Sequence, residues 1–203
     1  ALHLRATSQA WPVAVLTGTP QVGNARVADK GRLRVGQWLA TDAASRAHLE
    51  VGEIGYVEVA PGTRLQLVEA EETDHRLALA EGQIEARIFA PPRLFFVETP
   101  SALAIDLGCA YTLTVDSTGT SLIHVTSGYV ELVAGEHSAL VPAGAMGLAR
   151  PGVGPGIPFD QKASAVRTAM FASWWGCEIQ RGMIQWWRET VTTCGCSISS
   201  KSR

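Results

Sequence analysis

The chain has 203 residues, of which 46% are hydrophobic and 18% charged, enough for one ordinary domain with an appendage. Its 17 basic and 19 acidic residues give a formal net charge of −2, which disfavours a general nucleic-acid binder because such proteins carry a basic excess. The 20 glycines and 10 prolines are too dispersed for a collagen, and no run approaches the ~20 apolar residues that cross a bilayer.

The amino terminus and the cysteines indicate the cellular context. The chain begins with Ala1 rather than Met, so we expect a signal peptide or membrane anchor upstream of it in the full gene product. Only Cys109 lies in the first 170 residues, while Cys177, Cys194 and Cys196 follow later. The main body is therefore not a disulfide framework.

From Trp11 to about Ala149 the chain alternates apolar and polar residues in short runs separated by Gly and Pro. This period of two is typical of β-strands with one buried and one solvated face. The pattern predicts an all-β fold with no helix before residue 160, apart from a single turn within 41–49 that Asp42 could cap. We assign residues 1–150 to this β-rich domain.

The sequence also matches itself at a constant offset of 46 residues. Matching pairs include Gly62 with Gly108, Leu65 with Tyr111, Gly82 with Gly128, Ile84 with Val130 and Glu85 with Glu131. A fainter earlier copy aligns Leu33, Gly36 and Trp38 with Leu79, Gly82 and Ile84. Any alternating β-protein can match itself by chance, and this remains the alternative. A true repeat predicts a β-solenoid-like stack, because each strand layer must cover its apolar face with the next.

Four short motifs follow one another within the second copy. They read V-E-T-P-S-A at 97–102, I-D-L-G-C-A-Y-T-L-T-V at 105–115, V-T-S-G-Y-V-E-L at 125–132 and V-P-A-G at 141–144. In this order they resemble the core of FecR-like domains. The family positions carried over are structural: Thr99, Pro100, Gly108, Gly128 and Gly144.

Two positions depart from the family pattern. Cys109 stands where Thr is usual, and Tyr111 stands where Phe is usual. Both replacements are similar in size, and we expect neither to disturb the fold.

The resemblance implies a non-catalytic signalling module. FecR-like proteins are typically single-pass membrane proteins of bacteria, in which an outer part receives a signal from a protein partner and an inner segment controls a sigma factor. By this resemblance the chain would be the extracytoplasmic module, on the periplasmic or cell-surface side. It would be anchored to the inner membrane by a segment outside this chain and would act through protein–protein contact in the cell envelope.

No constellation in the sequence indicates catalysis, a metal or a cofactor. A cupin-like metal site would need two histidines one residue apart, but His124 is followed by Thr126, which leaves only a weak set with Glu131 and His137. The carboxylates Asp106, Asp116 and Glu131 fall on the polar phase of their strands, so we expect solvated faces. We therefore predict no enzyme activity, no small-molecule substrate and no nucleic-acid partner.

One surface patch is a candidate for partner binding. Arg87, Arg93, Phe95 and Phe96 lie around Pro91-Pro92 and form a small basic and aromatic cluster. The structural interpretation is a core edge covered by arginine stems, and the functional one is a partner-facing patch, because an open sheet edge suits strand addition by a partner.

Residues 151–159 are rich in Pro and Gly and read as a semi-rigid linker, after which the composition changes. Residues 160–203 hold four of the six Trp and three of the four Cys, without a clean hydrophobic period beyond a possible helix over 161–171. We interpret this tail as an out-of-frame or irregular segment, since codons read one nucleotide earlier permit the amphipathic sequence D-D-L-W-L-Q-H-L-I-K at 192–201. A Trp-rich membrane-interface segment and a Cys-x-Cys redox or metal element are the alternatives.

Two other function classes remain open. A secreted or periplasmic module that binds an envelope polymer such as a glycan would expose aromatic residues along one face, for which Tyr56, Tyr111 and Tyr129 are the candidates. A cupin-like metalloenzyme is the lesser alternative.

Overall fold

A computed structural model describes residues 10–160, which form 18 β-strands and, within that range, no helix. The strands are β1 (Ala10–Thr17), β2 (Gln21–Val22), β3 (Ala25–Arg26), β4 (Lys30–Arg34), β5 (Trp38–Ala40), β6 (Arg46–Val51), β7 (Gly55–Val59), β8 (Arg64–Glu71), β9 (Asp74–Ile88), β10 (Phe95–Glu98), β11 (Leu103–Asp106), β12 (Ala110–Val115), β13 (Ser121–Ser127), β14 (Tyr129–Ala134), β15 (His137–Pro142), β16 (Ala145–Arg150), β17 (Gly154–Pro155) and β18 (Phe159–Asp160).

The strands are arranged in two sheets that share β9. The first sheet has the order β4-β1-β6-β7-β9-β12-β13-β16, with β17 and β18 both on β16, and every pair is antiparallel. The second sheet has the order β3-β2-β5-β8-β9-β10-β11-β14-β15, in which β9 and β10 are parallel. The result is an open, mixed arrangement.

The two sheets pack face to face around one apolar core. Gly147 on β16 of the first sheet lies so close to Leu132 and Val141 of the second that a Cβ there would meet their side chains at 3.0 and 2.8 Å. Trp11 on β1 similarly reaches Phe95 on β10, with ring centroids 6.4 Å apart. Alternating inward side chains from both sheets fill the space, as the period of two predicts.

These observations confirm the all-β prediction. The predicted strands from Trp11 to Ala149 are present, and the segment 41–45 contains only a turn at residues 43 and 44 before β6 begins. Within residues 10–160 no helix is long and apolar enough to cross a membrane. The division of the chain into a domain, a linker and a tail stays a prediction, and the solenoid description of the stack does too.

Residues related by the 46-residue offset occupy similar positions in opposite sheets. Leu65 on β8 belongs to the second sheet, whereas its match Tyr111 on β12 belongs to the first. Four matched glycines lie where the chain passes from one sheet to the other, and all have positive φ. They are Gly62 (67°), Gly82 (99°), Gly108 (84°) and Gly128 (73°).

Strand β11 departs from the predicted orientation. The alternation of Leu103 and Ile105 predicts that both face the core, but Ala104 belongs to the core while Ile105 lies outside it, although buried. The same inversion corrects the prediction for Asp106, which is 1% exposed rather than solvated. Its carboxylate is held inside by the turn that follows, so local hydrogen bonding overrides the hydrophobic pattern.

The predicted linker 151–159 contributes the short strand β17 and the first residue of β18 to the edge of the first sheet. The out-of-frame prediction for the tail, with its tryptophans and its three late cysteines, lies outside the described residues.

Candidate functional site

The first motif forms the tight hairpin between β10 and β11. Thr99 Oγ1 donates a hydrogen bond to the Ala102 carbonyl at 2.7 Å and accepts one from the Ala102 N–H at 3.0 Å. Ser121 on β13 donates to Thr99 Oγ1 at 2.8 Å and pairs with Ser101 at 2.5 Å. Because Ser101 and Ser121 are both buried, this hydroxyl cluster satisfies the polar groups of the turn and fixes it to the first sheet.

Pro100 has a packing role in the same turn. A Cβ on Gly119, in the neighbouring turn between β12 and β13, would come within 2.9 Å of the Pro100 ring. Gly119 has a φ of 81°, so a residue without a Cβ suits both its backbone and its contact with Pro100. Thr99 and Pro100 thus hold adjacent turns together.

The second motif places a buried carboxylate at the crossing between β11 and β12. Asp106 Oδ1 accepts the Gly108 N–H at 2.7 Å, and Asp106 Oδ2 accepts the Cys109 thiol at 2.7 Å. Burial raises the pKa of Asp106, and the bonds from Cys109 and Gly108 oppose that rise. Burial, with the neighbouring Asp106 charge, raises the pKa of the Cys109 thiol, so this cysteine is a hydrogen-bond donor rather than a nucleophile.

Tyr111 adds a second buried polar group. Its side chain is 1% exposed, and its hydroxyl has no hydrogen-bond partner among the described residues. Burial, together with the nearby Asp106 and Cys109, raises its pKa well above 10.0. The Tyr111 ring therefore fills the core as a Phe at this position of the FecR-like pattern would. Tyr111 differs from Phe only in its buried hydroxyl.

Gly128 and Gly144 serve two further crossings. A Cβ on Gly128 would collide with the Gly108 carbonyl and come within 3.0 Å of the Cys109 side chain, so only glycine fits. Gly144 has open space around it but a φ of 83°, and its N–H donates to the Val125 carbonyl at 2.8 Å. All five family positions thus lie in turns between strands.

The predicted patch is divided among different parts of the fold. Phe95 is fully buried in the core and does not reach a surface. Arg87 lies on the first sheet and bonds Glu85, whereas Arg93 lies before β10 and bonds Glu131 at 2.6 Å. Phe96 faces outward on the second sheet, with the guanidinium of Arg76 4.8 Å from its ring centroid. Partner contact by the three surface residues stays a prediction.

The candidates for the two other function classes are also separated. His124 belongs to the first sheet, whereas Glu131 and His137 belong to the second, and no group of three metal-ligating residues is present within residues 10–160. Tyr111 is buried, while Tyr56 stacks on His48 on the first sheet and Tyr129 is exposed on the second. No row of exposed tyrosines is formed.

Asp116, in contrast to Asp106, lies on the surface as predicted. It accepts bonds from the Thr118 hydroxyl at 2.6 Å and from the Thr118 and Thr120 N–H groups. These bonds, led by the Thr118 hydroxyl, lower its pKa. The carboxylate closes the β12–β13 turn.

The sequence reading missed one buried titratable group, His75 at the start of β9. It is 6% exposed, its Nδ1 has no partner among the described residues, and its ring lies 5.9 Å from that of Trp11. Burial lowers its pKa, while the charge of Asp74 opposes this. Its burial could have been predicted, because His75 lies two residues before Leu77 and four before Leu79 and so faces the core with them.

Comparisons with known proteins support the fold. No protein-family model and no curated protein matches the sequence. Two crystal structures of a candidate anti-sigma factor from Parabacteroides distasonis match this structure, each with a TM-score of 0.53 at 15% sequence identity. The chain shares their fold. The match covers 63% of this chain and 63% and 62% of those chains, so it spans less than two thirds of their length.

Proposed function

We propose that this chain is the signal-receiving module of a FecR-like regulator that controls a sigma factor through protein–protein contact and has no chemistry of its own. The observation that carries the proposal is the fold it shares with a candidate anti-sigma factor. The module would lie outside the cytoplasm, with an inner-membrane anchor in a part of the protein outside this chain.

The structural role of the family positions supports this proposal. Thr99, Pro100, Gly108, Gly128 and Gly144 all shape turns or crossings. The motif therefore specifies a scaffold, and the outward faces of the two sheets are the surfaces available for contact with a partner. A module of this kind recognises its partner through those faces and edges.

Signal passage would be a population shift rather than a chemical step. A partner that binds one docked arrangement of the module more tightly than another shifts the equilibrium toward that arrangement by its differential affinity. The closely packed core suits such a role, because a rigid body transmits a change at one face to another.

Deletion of the gene in its own organism tests the regulatory role. We expect transcripts from a small set of promoters with one shared sequence motif to change, and we expect the full gene to restore them. A gene from which only codons 10–160 are removed in frame should fail to restore the response to the natural signal. An unchanged transcriptome would contradict the proposal.

The location is tested separately with two reporters fused after Asp160 in the full-length gene. Alkaline phosphatase is active only outside the cytoplasm, and green fluorescent protein exported unfolded does not fluoresce. We expect phosphatase activity without fluorescence. Fluorescence without phosphatase activity would place the module inside the cell and remove the extracytoplasmic part of the proposal.

A further inference from the structure

Strand β15 forms one edge of the second sheet, and β4 forms an edge of the first sheet. The two edge strands differ in the charged side chains that they carry. Within residues 10–160, β15 pairs with β14 and with no other strand. The edge strand β4 carries Lys30, Arg32 and Arg34, and basic residues of this kind discourage pairing with another chain. Strand β15, with the sequence H-S-A-L-V-P, has no lysine, arginine or carboxylate, and Leu140 at its centre is 54% exposed.

The backbone of β15 presents a defined set of hydrogen-bonding groups at this edge. The Ala143 N–H donates to the Gly128 carbonyl, which places Ala143 among the residues that bond toward β14. Because bonding alternates along an antiparallel strand, Ala139 and Val141 bond in the same direction. Ser138 and Leu140 therefore direct both N–H and C=O away from β14, and Pro142 directs its carbonyl the same way.

We propose that β15 is a homodimer interface, at which a second copy of this chain adds its own β15 in antiparallel orientation with Leu140 opposite the partner's Leu140. In this register each Leu140 N–H donates to the partner's Leu140 carbonyl. Each Ser138 N–H donates to the partner's Pro142 carbonyl, which needs no N–H from proline. The interface satisfies the donors that the edge exposes.

The side chains fit this register on both faces of the sheet. Ala139 lies opposite the partner's Val141 on the core side, and the two Leu140 side chains meet on the outer side. No charged side chain of β15 faces another, so no repulsion opposes the pairing. The two-fold axis through the Leu140 pair closes the assembly at two copies, because each copy then covers the other's edge.

The interface is small, so we expect a weak dimer, with a dissociation constant in the micromolar range or above. The proposal is independent of the proposed function, since either can fail without the other. Sedimentation velocity on the full 203-residue chain, under reducing conditions and over a concentration series, should show a reversible monomer–dimer equilibrium. A monomer throughout the series overturns the proposal.

Charge substitutions at the two-fold axis test the register. Leu140→Lys should raise the dissociation constant about tenfold or more, because it replaces an apolar pair by facing like charges. Leu16→Lys is the matched control, since Leu16 on the first sheet is 49% exposed and should leave dimerisation unchanged. The assignment of β15 as the interface is contradicted if Leu16→Lys alone loses the dimer, or if both variants keep it.

Rescue by opposite charge separates a direct contact from an indirect effect. At a concentration near the wild-type dissociation constant, Leu140→Lys and Leu140→Glu should each be mainly monomeric alone, and an equimolar mixture should restore a heterodimer at low salt, visible as a new band in native electrophoresis. Both variants should keep the far-ultraviolet circular dichroism of the wild type. Folded single variants that fail to pair in the mixture place the interface elsewhere and overturn the register.

Discussion

The Cys109 thiol donates a hydrogen bond to the Asp106 carboxylate across 2.7 Å, inside the turn where the chain passes from the second sheet to the first. The 46-residue offset matches Cys109 with Thr63, whose hydroxyl donates to the Gln83 carbonyl at 3.1 Å and accepts the Gln83 N–H at 3.0 Å. Gly128 packs against Cys109 as Gly82 packs against Thr63. A small buried donor facing a glycine is thus common to both crossings.

This correspondence predicts which residues position 109 accepts. Cys109→Thr should keep the unfolding free energy within about 1 kcal/mol of the wild type, because a hydroxyl can replace the thiol as donor. Cys109→Val has nearly the same shape without a donor, so it should cost about 1–3 kcal/mol by leaving the buried carboxylate under-satisfied. Urea denaturation measures both, and equal stability of the two variants would show that the hydrogen bond is unimportant.

The buried Asp106 predicts an unusual pH dependence. The pKa of Asp106 is raised in the folded state, so the carboxyl loses its proton at lower pH in the unfolded chain than in the folded one. The free energy of unfolding therefore falls as pH rises from 3.8, the ordinary pKa of an aspartate, up to the pKa of Asp106 in the folded chain. Asp106→Asn removes this contribution, so its unfolding free energy should improve relative to the wild type as pH rises through that window.

Asp116→Asn is the control, because its unfolding free energy relative to the wild type should change with pH in the opposite direction. The pKa of Asp116 is lowered, so its contribution is present above 3.8 and is lost as pH falls through the folded pKa. The variant should therefore lose stability relative to the wild type as pH rises. Denaturation between pH 3 and 7 compares the two, and parallel profiles would contradict the burial of Asp106.

The crossing glycines should differ in their tolerance of a side chain. Gly82→Ala adds a methyl group that collides with Thr63 and also strains a backbone at φ 99°, so we expect a loss of about 2–4 kcal/mol. Gly36→Ala strains a similar φ of 83° but meets no atom within 4 Å, and it should cost only about 1 kcal/mol. Equal losses in urea denaturation would mean that Gly82 is not in close contact with Thr63.

His75 predicts a loss of stability in mild acid. Its pKa is lowered by burial, so the unfolded chain binds the proton first, and stability falls as pH drops through 6.5 toward the folded pKa. His75→Phe should remove the slope between pH 7 and 5.5, whereas His124→Phe, on the outer side of β13, should retain it. Thermal melting at several pH values shows the difference, and a slope that persists in His75→Phe would assign it to another group.

Much of the fold could be predicted from the sequence because alternation and turn residues act locally. Leu65, Leu67, Leu77 and Leu79 are all in the core, as their period of two predicts. Gly62, Gly82, Gly108 and Gly128 mark the crossings because a positive φ selects glycine whatever the surrounding fold.

The tertiary structure alone decided which face of a strand is buried where the local pattern is ambiguous. Leu103, Ala104, Ile105 and Asp106 could face either way, and the bonds from the next turn draw the carboxylate inward and place Ile105 outside the core. Similarly, sequence proximity grouped Phe95 with Phe96, but neighbouring residues of a strand point to opposite faces. Alternation fixes the period of a strand, whereas its phase and its edges depend on hydrogen bonds and packing between segments distant in the chain.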